Sequence, residues 1–133
     1  ACFAKPEINL GMPPTFGGTQ RLPRLAGRKR ALKLLLTGDP FSPQRALEIG
    51  LVNAVVPRDE LLPATRELAN RIIKHSPLAV GGIITAVTRG LNMGIAEGLQ
   101  VESEQFAALV PSHDLDEGIA AWIARRTPNY AGR

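Results

Sequence analysis

The sequence predicts a mainly α fold with a short β element. Apolar residues recur at helical spacing in most segments after about residue 20, and capping residues, prolines or glycines bound those segments. Two shorter stretches, residues 1–5 and 51–56, have extended character instead. The chain has 133 residues and is 44% apolar, so we expect one small domain with a globular core over residues 1–133.

The first candidate for chemistry is a glutamate beside the first extended stretch. Pro6 disfavours helix before it, so residues 1–5 are predicted to be a strand and Glu7 to lie just past its end. Reacting groups of α/β folds commonly occupy that place. The apolar neighbours Ile8 and Leu10 are expected to shield the carboxyl group, and desolvation favours the protonated form that a proton donor needs. A solvated or ion-paired loop glutamate is the alternative.

A turn rich in proline and glycine leads from this glutamate into the first helix. Two prolines forbid helix before residue 14, and Gly17 and Gly18 permit tight backbone geometry. Thr19 is predicted to cap a helix that runs from about Gln20. Exposed N–H groups at such a start can bind an anion or a water molecule, and a plain turn entering a helix is the alternative.

The second predicted helix, residues 28–36, has a broad apolar side and basic residues elsewhere. A solvated helix face explains these cations, and contact with a phosphate group is the sharper alternative. No aromatic residues interleave with them as a surface for single-stranded nucleic acid requires, so we expect no nucleic-acid partner. With two preceding arginines they form a basic cluster: Arg21, Arg24, Arg28, Lys29, Arg30 and Lys33.

The remaining elements are predicted from local caps and stops. A strand over residues 51–56 ends at Pro57, and Gly81 and Gly82 allow another backbone to approach their helix closely. The predicted helices span residues 44–49 after a Ser42 N-cap, 60–74 after Asp59, 77–90 after Ser76, 95–110 before Pro111, and a last helix that Asp114 or Asp116 opens and Arg125 and Arg126 close.

Composition narrows the classes of protein. No apolar run is long enough to span a membrane and no charged-then-apolar leader opens the chain, so we expect a cytoplasmic enzyme without a membrane partner. The single cysteine, Cys2, cannot form an internal disulfide and is predicted to be a small buried strand residue. No Cys/His spacing indicates a metal site. The formal charge of +4 suits a phosphate-bearing ligand without requiring one.

Several blocks of the sequence follow one another in a distinctive order and spacing. They are Phe3-x-x-Pro6-Glu7-Ile8-x-Leu10-Gly11, Pro14-x-x-Gly17-Gly18-Thr19-Gln20-Arg21-Leu22, Leu36-Thr37-Gly38, Ala46-x-x-x-Gly50-Leu51-Val52, Glu97-Gly98-Leu99, Asp116-Glu117-Gly118 and Arg125-Arg126-x-Pro128-x-Tyr130. Together these blocks closely resemble the enoyl-CoA hydratase/isomerase (crotonase) family. The resemblance covers essentially the whole chain, which is similar to only the C-terminal half of such an enzyme. The opening Ala-Cys-Phe correspondingly reads like the middle of a longer protein.

The resemblance implies a fold and an assembly. The chain is expected to be the C-terminal helical part of the α/β crotonase (ClpP/crotonase-like) fold, with about residues 1–57 ending the spiral core and about 58–133 forming a helical trimerisation region. A homotrimer or a hexamer, as a dimer of trimers, is the implied assembly. The family's two oxyanion-hole donors and the first hydratase glutamate belong to stretches before Ala1, so this chain alone is expected to be inactive.

The resemblance also implies roles for two residues near the start of the chain. Glu7 matches the second hydratase glutamate, which donates a proton in hydration and accepts one in dehydration. Thr15 stands where the family's usual turn has a glycine whose N–H faces the catalytic water. The Thr15 N–H can serve, but a threonine backbone is less free than that of glycine. Positioning of the catalytic water, and therefore hydration itself, depends on whether threonine can replace glycine at this position.

Three residues near the other end match positions where the family binds coenzyme A. Phe106 and Trp122 correspond to residues that pack against the adenine, and Arg125 to a residue that contacts the phosphates, commonly across a subunit boundary. Arg125 replaces a frequent lysine and Trp122 a frequent phenylalanine, and both exchanges keep the chemistry. Ordinary core packing is the alternative for the two aromatic residues. No separate cofactor is implied, because coenzyme A is part of the substrate.

The leading hypothesis is therefore the C-terminal portion of an enoyl-CoA hydratase, a lyase that adds water to 2-enoyl-CoA thioesters in fatty-acid metabolism. Another crotonase member, such as an enoyl-CoA isomerase or an acyl-CoA hydrolase, is the alternative enzyme. A third possibility is a non-catalytic helical assembly module, because nearly every predicted helix has an apolar face to cover.

Overall fold

A computed structural model describes all 133 residues, and their contacts divide the chain into two compact units, Ala1–Glu60 and Leu61–Arg133. The fold is mainly helical, as predicted. The α-helices are α1 Gly18–Ala26, α2 Arg28–Thr37, α3 Pro43–Glu48, α4 Leu61–Ile72, α5 Pro77–Gly90, α6 Ile95–Leu109 and α7 His113–Ile123, and short 3₁₀ helices span Pro6–Leu10 and Arg58–Glu60.

The β content of the first unit is smaller than predicted. Residues 1–5 form no strand, although Phe3 makes one antiparallel bridge to Phe41 with N–O distances of 3.0 and 2.8 Å. The two rings stack with their centroids 5.6 Å apart. Cys2 beside this bridge is exposed, so the prediction of a buried strand cysteine was wrong.

The strand predicted over residues 51–56 was also wrong. The N–H groups of Leu51 and Val52 donate to the Ala46 carbonyl at 2.8 and 3.4 Å, so the segment begins as a continuation of the last turn of α3. A strand needs a neighbouring strand for its backbone groups, and no strand pairs with this segment.

The core of the first unit packs α1 against α2 and the end of α3. Ala31 is fully buried there, and Leu34, Phe41 and Leu51 pack against the cluster from its rim. Burial of these apolar side chains is the main source of stability in so small a unit. The buried residues of the cluster are Leu22, Ala26, Ala31, Leu35 and Ile49.

Helix caps in the first unit agree with the sequence in one case and differ in another. The Ser42 side chain accepts a hydrogen bond from the Arg45 N–H at 3.1 Å, as predicted for the N-cap of α3. The Thr19 cap was wrong because α1 begins earlier, with Gly17 as its N-cap and no side-chain cap. Gly17 has φ +83°, a left-handed conformation that favours glycine.

The second unit is built around the packing of α5 against α6. The close backbone approach lies between Gly90 and Gly98, where an added Cβ on either glycine would come within 3.3 to 3.4 Å of the other's backbone. It does not lie at Gly81, beside which no atom approaches within 4 Å. Helix α7 opens with Ser112, which accepts from the Leu115 N–H at 3.2 Å, rather than with Asp114 or Asp116.

Candidate active site

The candidate acid Glu7 lies in the 3₁₀ helix Pro6–Leu10. Pro6 occupies the first helical positions, where its fixed φ suits the turn and its missing N–H costs nothing. Gly11 closes the helix in a left-handed conformation at φ +72°, and its N–H donates to the carbonyls at the helix end. The Met12 N–H donates to the Glu7 carbonyl at 3.3 Å, so the backbone of Glu7 is held from the C-terminal side.

The two carboxylate oxygens of Glu7 have different surroundings. Oε1 lies 3.5 Å from the Lys5 ammonium, whereas Oε2 is buried and accepts no hydrogen bond within the chain. Buried acceptors without partners are rare in native proteins and point to a ligand, a water molecule or a catalytic role. Of the two residues predicted to shield this carboxyl group, Ile8 is 37% exposed and Leu10 is 75% exposed.

Thr15 lies at the start of the glycine turn that precedes α1. Its carbonyl accepts from the Gly18 N–H at 3.1 Å, and its own N–H makes no hydrogen bond within the chain. Phe16 follows with a left-handed φ of +53° and an exposed ring. The turn therefore presents a free backbone donor at Thr15, which is the group that the sequence singled out there.

Lys5 links the glutamate to this turn, and the sequence alone gave it no role. An added Cβ on Gly18 would lie 2.8 Å from the Pro14 Cβ and 3.2 Å from the Lys5 Nζ, so only glycine fits beside the ammonium. The ammonium thus lies between Gly18 and the Glu7 carboxylate. No hydrogen bond joins Glu7 directly to Thr15. The arrangement supplies a carboxyl group for proton transfer and a backbone donor for a water molecule or a substrate oxygen.

The three residues proposed for coenzyme A lie in the second unit, and neither aromatic ring is buried in this structure. Phe106 on α6 is 62% exposed and Trp122 on α7 is 81% exposed. Arg125 follows α7 with a left-handed φ of +52°, is exposed and forms no ion pair. Trp122 lines a pocket of about 420 Å³ together with Tyr130 and Ile119, but Phe106 does not line it.

The same pocket has a buried acidic residue, Asp114, at its base. Its carboxylate accepts hydrogen bonds from the Ser76 hydroxyl at 2.6 Å and from the Ala131 N–H at 2.7 Å. The Ser76 bond, together with the bonds from the Ala131 and Gly132 backbone, lowers the pKa of the Asp114 carboxyl group. The sequence suggested Asp114 as a helix start, and no motif among the matched blocks includes it.

A second carboxylate, Glu117, is paired on the next turn of α7. The two guanidinium nitrogens of Arg126 donate to its two oxygens at 2.6 and 2.7 Å, and the Asn129 N–H donates at 2.7 Å. The Arg126 hydrogen bond is the main reason that the pKa of Glu117 falls from 4.5 to about 2. Both residues lie in sequence blocks that carry the family resemblance. Membership of those blocks was the one feature of the sequence that could have drawn attention to the pair.

Known proteins are similar to this chain along its whole length. The family model described as enoyl-CoA hydratase/isomerase matches residues 1–133. A crotonyl-CoA hydratase of Syntrophomonas wolfei is 39% identical over 133 residues, which are all of this chain and 51% of that protein. A 2,3-dehydroadipyl-CoA hydratase of Escherichia coli is also 39% identical over 133 residues, or 52% of its length. The chain therefore spans about half the length of the curated relatives it matches.

Solved structures agree with the sequence relatives. A crystal structure of an enoyl-CoA hydratase from Bacillus anthracis superposes with a TM-score of 0.95 at 38% identity, over all of this chain and 52% of that one. A crystal structure of an enoyl-CoA hydratase/isomerase from Mycobacterium paratuberculosis superposes with a TM-score of 0.92 at 31% identity. The chain belongs to the enoyl-CoA hydratase/isomerase family, and its fold is the helical C-terminal part of the crotonase fold.

No group of three or more His, Cys, Asp and Glu side chains is arranged to hold a metal ion. No helix has both the length and the apolar composition needed to cross a membrane.

Proposed function

We propose that this chain provides the proton-donating glutamate and part of the coenzyme A site of an enoyl-CoA hydratase. The observation that carries the proposal is the Glu7 carboxylate, one oxygen of which is buried and has no partner in the chain. An oxygen without a partner in the chain is available to meet a substrate atom or a water molecule, as a group that transfers a proton must. The crotonyl-CoA hydratase relative supports this choice of reaction, because its name describes water addition to a short enoyl thioester.

In the proposed reaction, Glu7 gives its proton to the α-carbon of a 2-enoyl-CoA while a water molecule adds its oxygen to the β-carbon. The carbon–carbon double bond becomes a single bond, and the water's proton passes to a second base. By the family resemblance, that base and the two oxyanion-hole donors are not among these 133 residues. The Thr15 N–H is the group that we assign to water placement, because it makes no bond within the chain.

We assign binding of the coenzyme A portion to the second unit. The exposed Trp122 ring offers a stacking surface for a purine, and the unpaired Arg125 guanidinium offers hydrogen bonds to phosphate. Phe106 is the third residue in this assignment and lies exposed on α6. Because Phe106 does not line the Trp122 pocket, we assign it a contact with a different part of the ligand.

One feature, the altered turn before α1, favours a second candidate among the other members of the family, an enoyl-CoA isomerase. Thr15 replaces the glycine of the family's usual turn, and the exposed Phe16 next to it has a left-handed backbone. These two positions shape the place where the catalytic water is expected. An altered turn at that place impairs the addition of water more than it impairs proton transfer. An isomerase needs proton transfer but no water.

We also propose that the second unit associates with copies of itself, as a trimer or a dimer of trimers. Large apolar side chains are exposed on all four of its α-helices, among them Leu62, Ile83, Phe106 and Ile119. Sedimentation over a concentration series tests the proposal. A strictly monomeric species at high micromolar concentration contradicts it.

The function is tested by completing the enzyme with the other half of a relative. The N-terminal half of the Syntrophomonas wolfei crotonyl-CoA hydratase is joined to this chain in place of its own matched half. We expect the joined protein to consume crotonyl-CoA, measured by loss of enoyl absorbance, and the 133-residue chain alone to show no appreciable turnover. A folded joined protein that binds coenzyme A but does not hydrate crotonyl-CoA favours the second candidate. Turnover by the chain alone within tenfold of an intact relative contradicts the half-enzyme proposal.

A further inference from the structure

The last eight residues of the chain form a strap, residues 126–133, that two carboxylates of α7 hold in place. Asp114 accepts from the Ala131 N–H at 2.7 Å and from the Gly132 N–H at 3.1 Å, and its own N–H donates to the Arg133 carbonyl at 3.2 Å. Three residues further along α7, Glu117 holds Arg126 and Asn129. The strap therefore has fixed points at both ends although it contains no regular secondary structure.

Asp114 differs from every other charged residue of the chain because its side chain is buried, with 2% of its surface exposed. No lysine or arginine pairs with it, and the one basic side chain within 4.0 Å of its carboxylate is the half-exposed His113 ring, through Nδ1. Neutral donors satisfy the carboxylate instead: two strap N–H groups and the hydroxyl of Ser76. A buried carboxylate is costly without such donors, so its position requires the strap to be closed.

Ser76 extends this arrangement to another helix. Its hydroxyl donates to Asp114 and accepts the Ala79 N–H at 3.4 Å as the N-cap of α5. One carboxylate thus joins the start of α5, the first turn of α7 and the end of the strap. Pro77 at the start of α5 also limits the strap, since an added Cβ on Gly132 would lie 3.1 Å from its ring.

The strap places an aromatic ring in the Trp122 pocket. An added Cβ on Gly118 would lie 3.3 Å from the Tyr130 hydroxyl and 3.5 Å from its Cε1, so the ring lies directly against α7. Tyr130 and Trp122 both line the pocket of about 420 Å³, and so do Ser76 and Asp114. The carboxylate that closes the strap is therefore part of the same pocket as the ring that the strap carries.

We propose that Asp114 is a positioning residue for the Trp122 pocket: by fastening the strap it holds Tyr130 against α7 as part of the pocket wall. This inference rests on the proposed function, in which Trp122 meets the coenzyme A portion of the substrate. A wall that is fixed before binding lowers the ordering cost of binding, so a fastened strap favours tight binding at Trp122. Tyr130 becomes a ligand-contacting residue of that site.

The first experiment tests the strap without a ligand. Asp114→Asn keeps the size of the side chain but replaces one acceptor oxygen by an NH₂ group, which faces donors of Ser76 or the strap. Asp116→Asn is the matched control, since Asp116 is exposed on the same turn and its side chain makes no hydrogen bond. We expect amide hydrogen exchange at Ala131 and Gly132 to accelerate by about tenfold or more in Asp114→Asn and to stay unchanged in the control. Equal exchange in the two variants overturns the fastening role.

The second experiment measures coenzyme A binding through Trp122, the single tryptophan of the chain. We expect the dissociation constant, read from Trp122 fluorescence, to rise about tenfold in Asp114→Asn and in Tyr130→Ala, the range of a lost well-packed aromatic contact. Tyr130→Ala leaves every donor to Asp114 in place and so remains informative if Asp114→Asn folds poorly. Asp116→Asn is expected to bind like the parent chain.

The double variant separates positioning from general stability. If Asp114 acts through Tyr130, Asp114→Asn has no further effect on coenzyme A binding when Tyr130 is already alanine. Additive losses overturn the inference, as does parent-like binding by Tyr130→Ala. A parent chain whose Trp122 fluorescence does not respond to coenzyme A overturns the ligand assignment of the proposed function, and the inference with it. The exchange experiment distinguishes this outcome from a failure of the strap alone.

Discussion

Glu117 and Arg126 form a two-point ion pair in which the Nη1–Oε1 distance is 2.6 Å and the Nη2–Oε2 distance is 2.7 Å. The planar guanidinium matches the carboxylate fork, which a lysine at the same place would not do. Glu117 accepts a third hydrogen bond from the Asn129 N–H. The pair ties the end of α7 to the start of the strap, and it makes the carboxyl group a much stronger acid than a free glutamate.

The first prediction concerns acid stability. The pKa of Glu117 is about 2 in the folded chain against 4.5 as its ordinary value, so the folded state binds its proton less readily than the unfolded state does. Its contribution to the free energy of unfolding is complete above pH 4.5 and is lost as the pH falls through 4.5 to about 2. Glu117→Gln is therefore expected to lower the melting temperature at pH 7 and to flatten its dependence on pH below 4.5.

Glu67→Gln is the control for this experiment, because Glu67 is exposed on α4 and forms no ion pair. Thermal unfolding followed by circular dichroism from pH 7 to 2 compares the two variants with the parent chain. The assignment fails if Glu117→Gln keeps the parent's full pH slope, or if Glu67→Gln flattens it to the same degree.

The second prediction compares two glycines of the α5–α6 pair. Gly98→Ala puts a Cβ 3.3 Å from the Gly90 carbonyl oxygen and 3.5 Å from its Cα, so the helices must separate. Overpacking of this kind costs about 1–3 kcal/mol, more than the ~0.5–1 kcal/mol that alanine gains over glycine in a helix. Gly81→Ala meets no atom within 4 Å and keeps only the gain.

Urea unfolding of the two variants measures the difference directly. We expect Gly98→Ala to lower the free energy of unfolding and Gly81→Ala to raise it by about 0.5–1 kcal/mol. A stabilised Gly98→Ala variant would show that the two helices separate at little cost. Equal effects of the two substitutions would likewise contradict the close contact.

These glycines illustrate what the sequence predicts and what it does not. The helices were predictable because their caps, prolines and apolar spacing are local signals, and Ser42 is an instance of a cap read correctly. Which glycine meets another backbone depends on the crossing point of α5 and α6, which no local pattern encodes. The sequence favoured Gly81 and Gly82, and the structure has the contact at Gly90 and Gly98.

The same reasoning explains the other differences. Residues 51–56 look like a strand by composition, but a strand is defined by a partner, and the segment bonds back to Ala46 instead. The role of Asp114 depends on donors 17 and 18 residues further along the chain, so its burial was not predictable from its neighbours. Glu7 was first singled out by its place after Pro6 and was then supported by a specific family block, but the burial of only one of its two oxygens was not visible in the sequence.

The third prediction tests the cap of α3. Ser42→Ala removes the acceptor for the Arg45 N–H, and a lost N-cap of this type costs about 1 kcal/mol. Ser42→Asp restores an acceptor at the same helix end and is expected to unfold at nearly the parent urea concentration. If Ser42→Ala and Ser42→Asp unfold together, the hydrogen bond at 3.1 Å contributes nothing measurable.

The fourth prediction concerns Glu7 in the enzyme completed with the N-terminal half of a relative. Glu7→Gln keeps the size and the hydrogen-bonding capacity of the side chain but cannot transfer the proton. We expect kcat for crotonyl-CoA hydration to fall by a factor on the order of 10²–10⁴, the usual range for general acid–base catalysis. We expect KM to change little, because a loss confined to kcat marks an interaction made in the transition state.

Glu48→Gln is a suitable control for Glu7→Gln, because Glu48 is an exposed glutamate of the same unit and pairs only with Arg45 on the surface of α3. Its loss is expected to change stability by at most about 0.5 kcal/mol and to leave kcat at the parent value. A Glu7→Gln enzyme that retains more than half the parent rate removes the catalytic assignment. The proton of hydration would then come from a group other than Glu7.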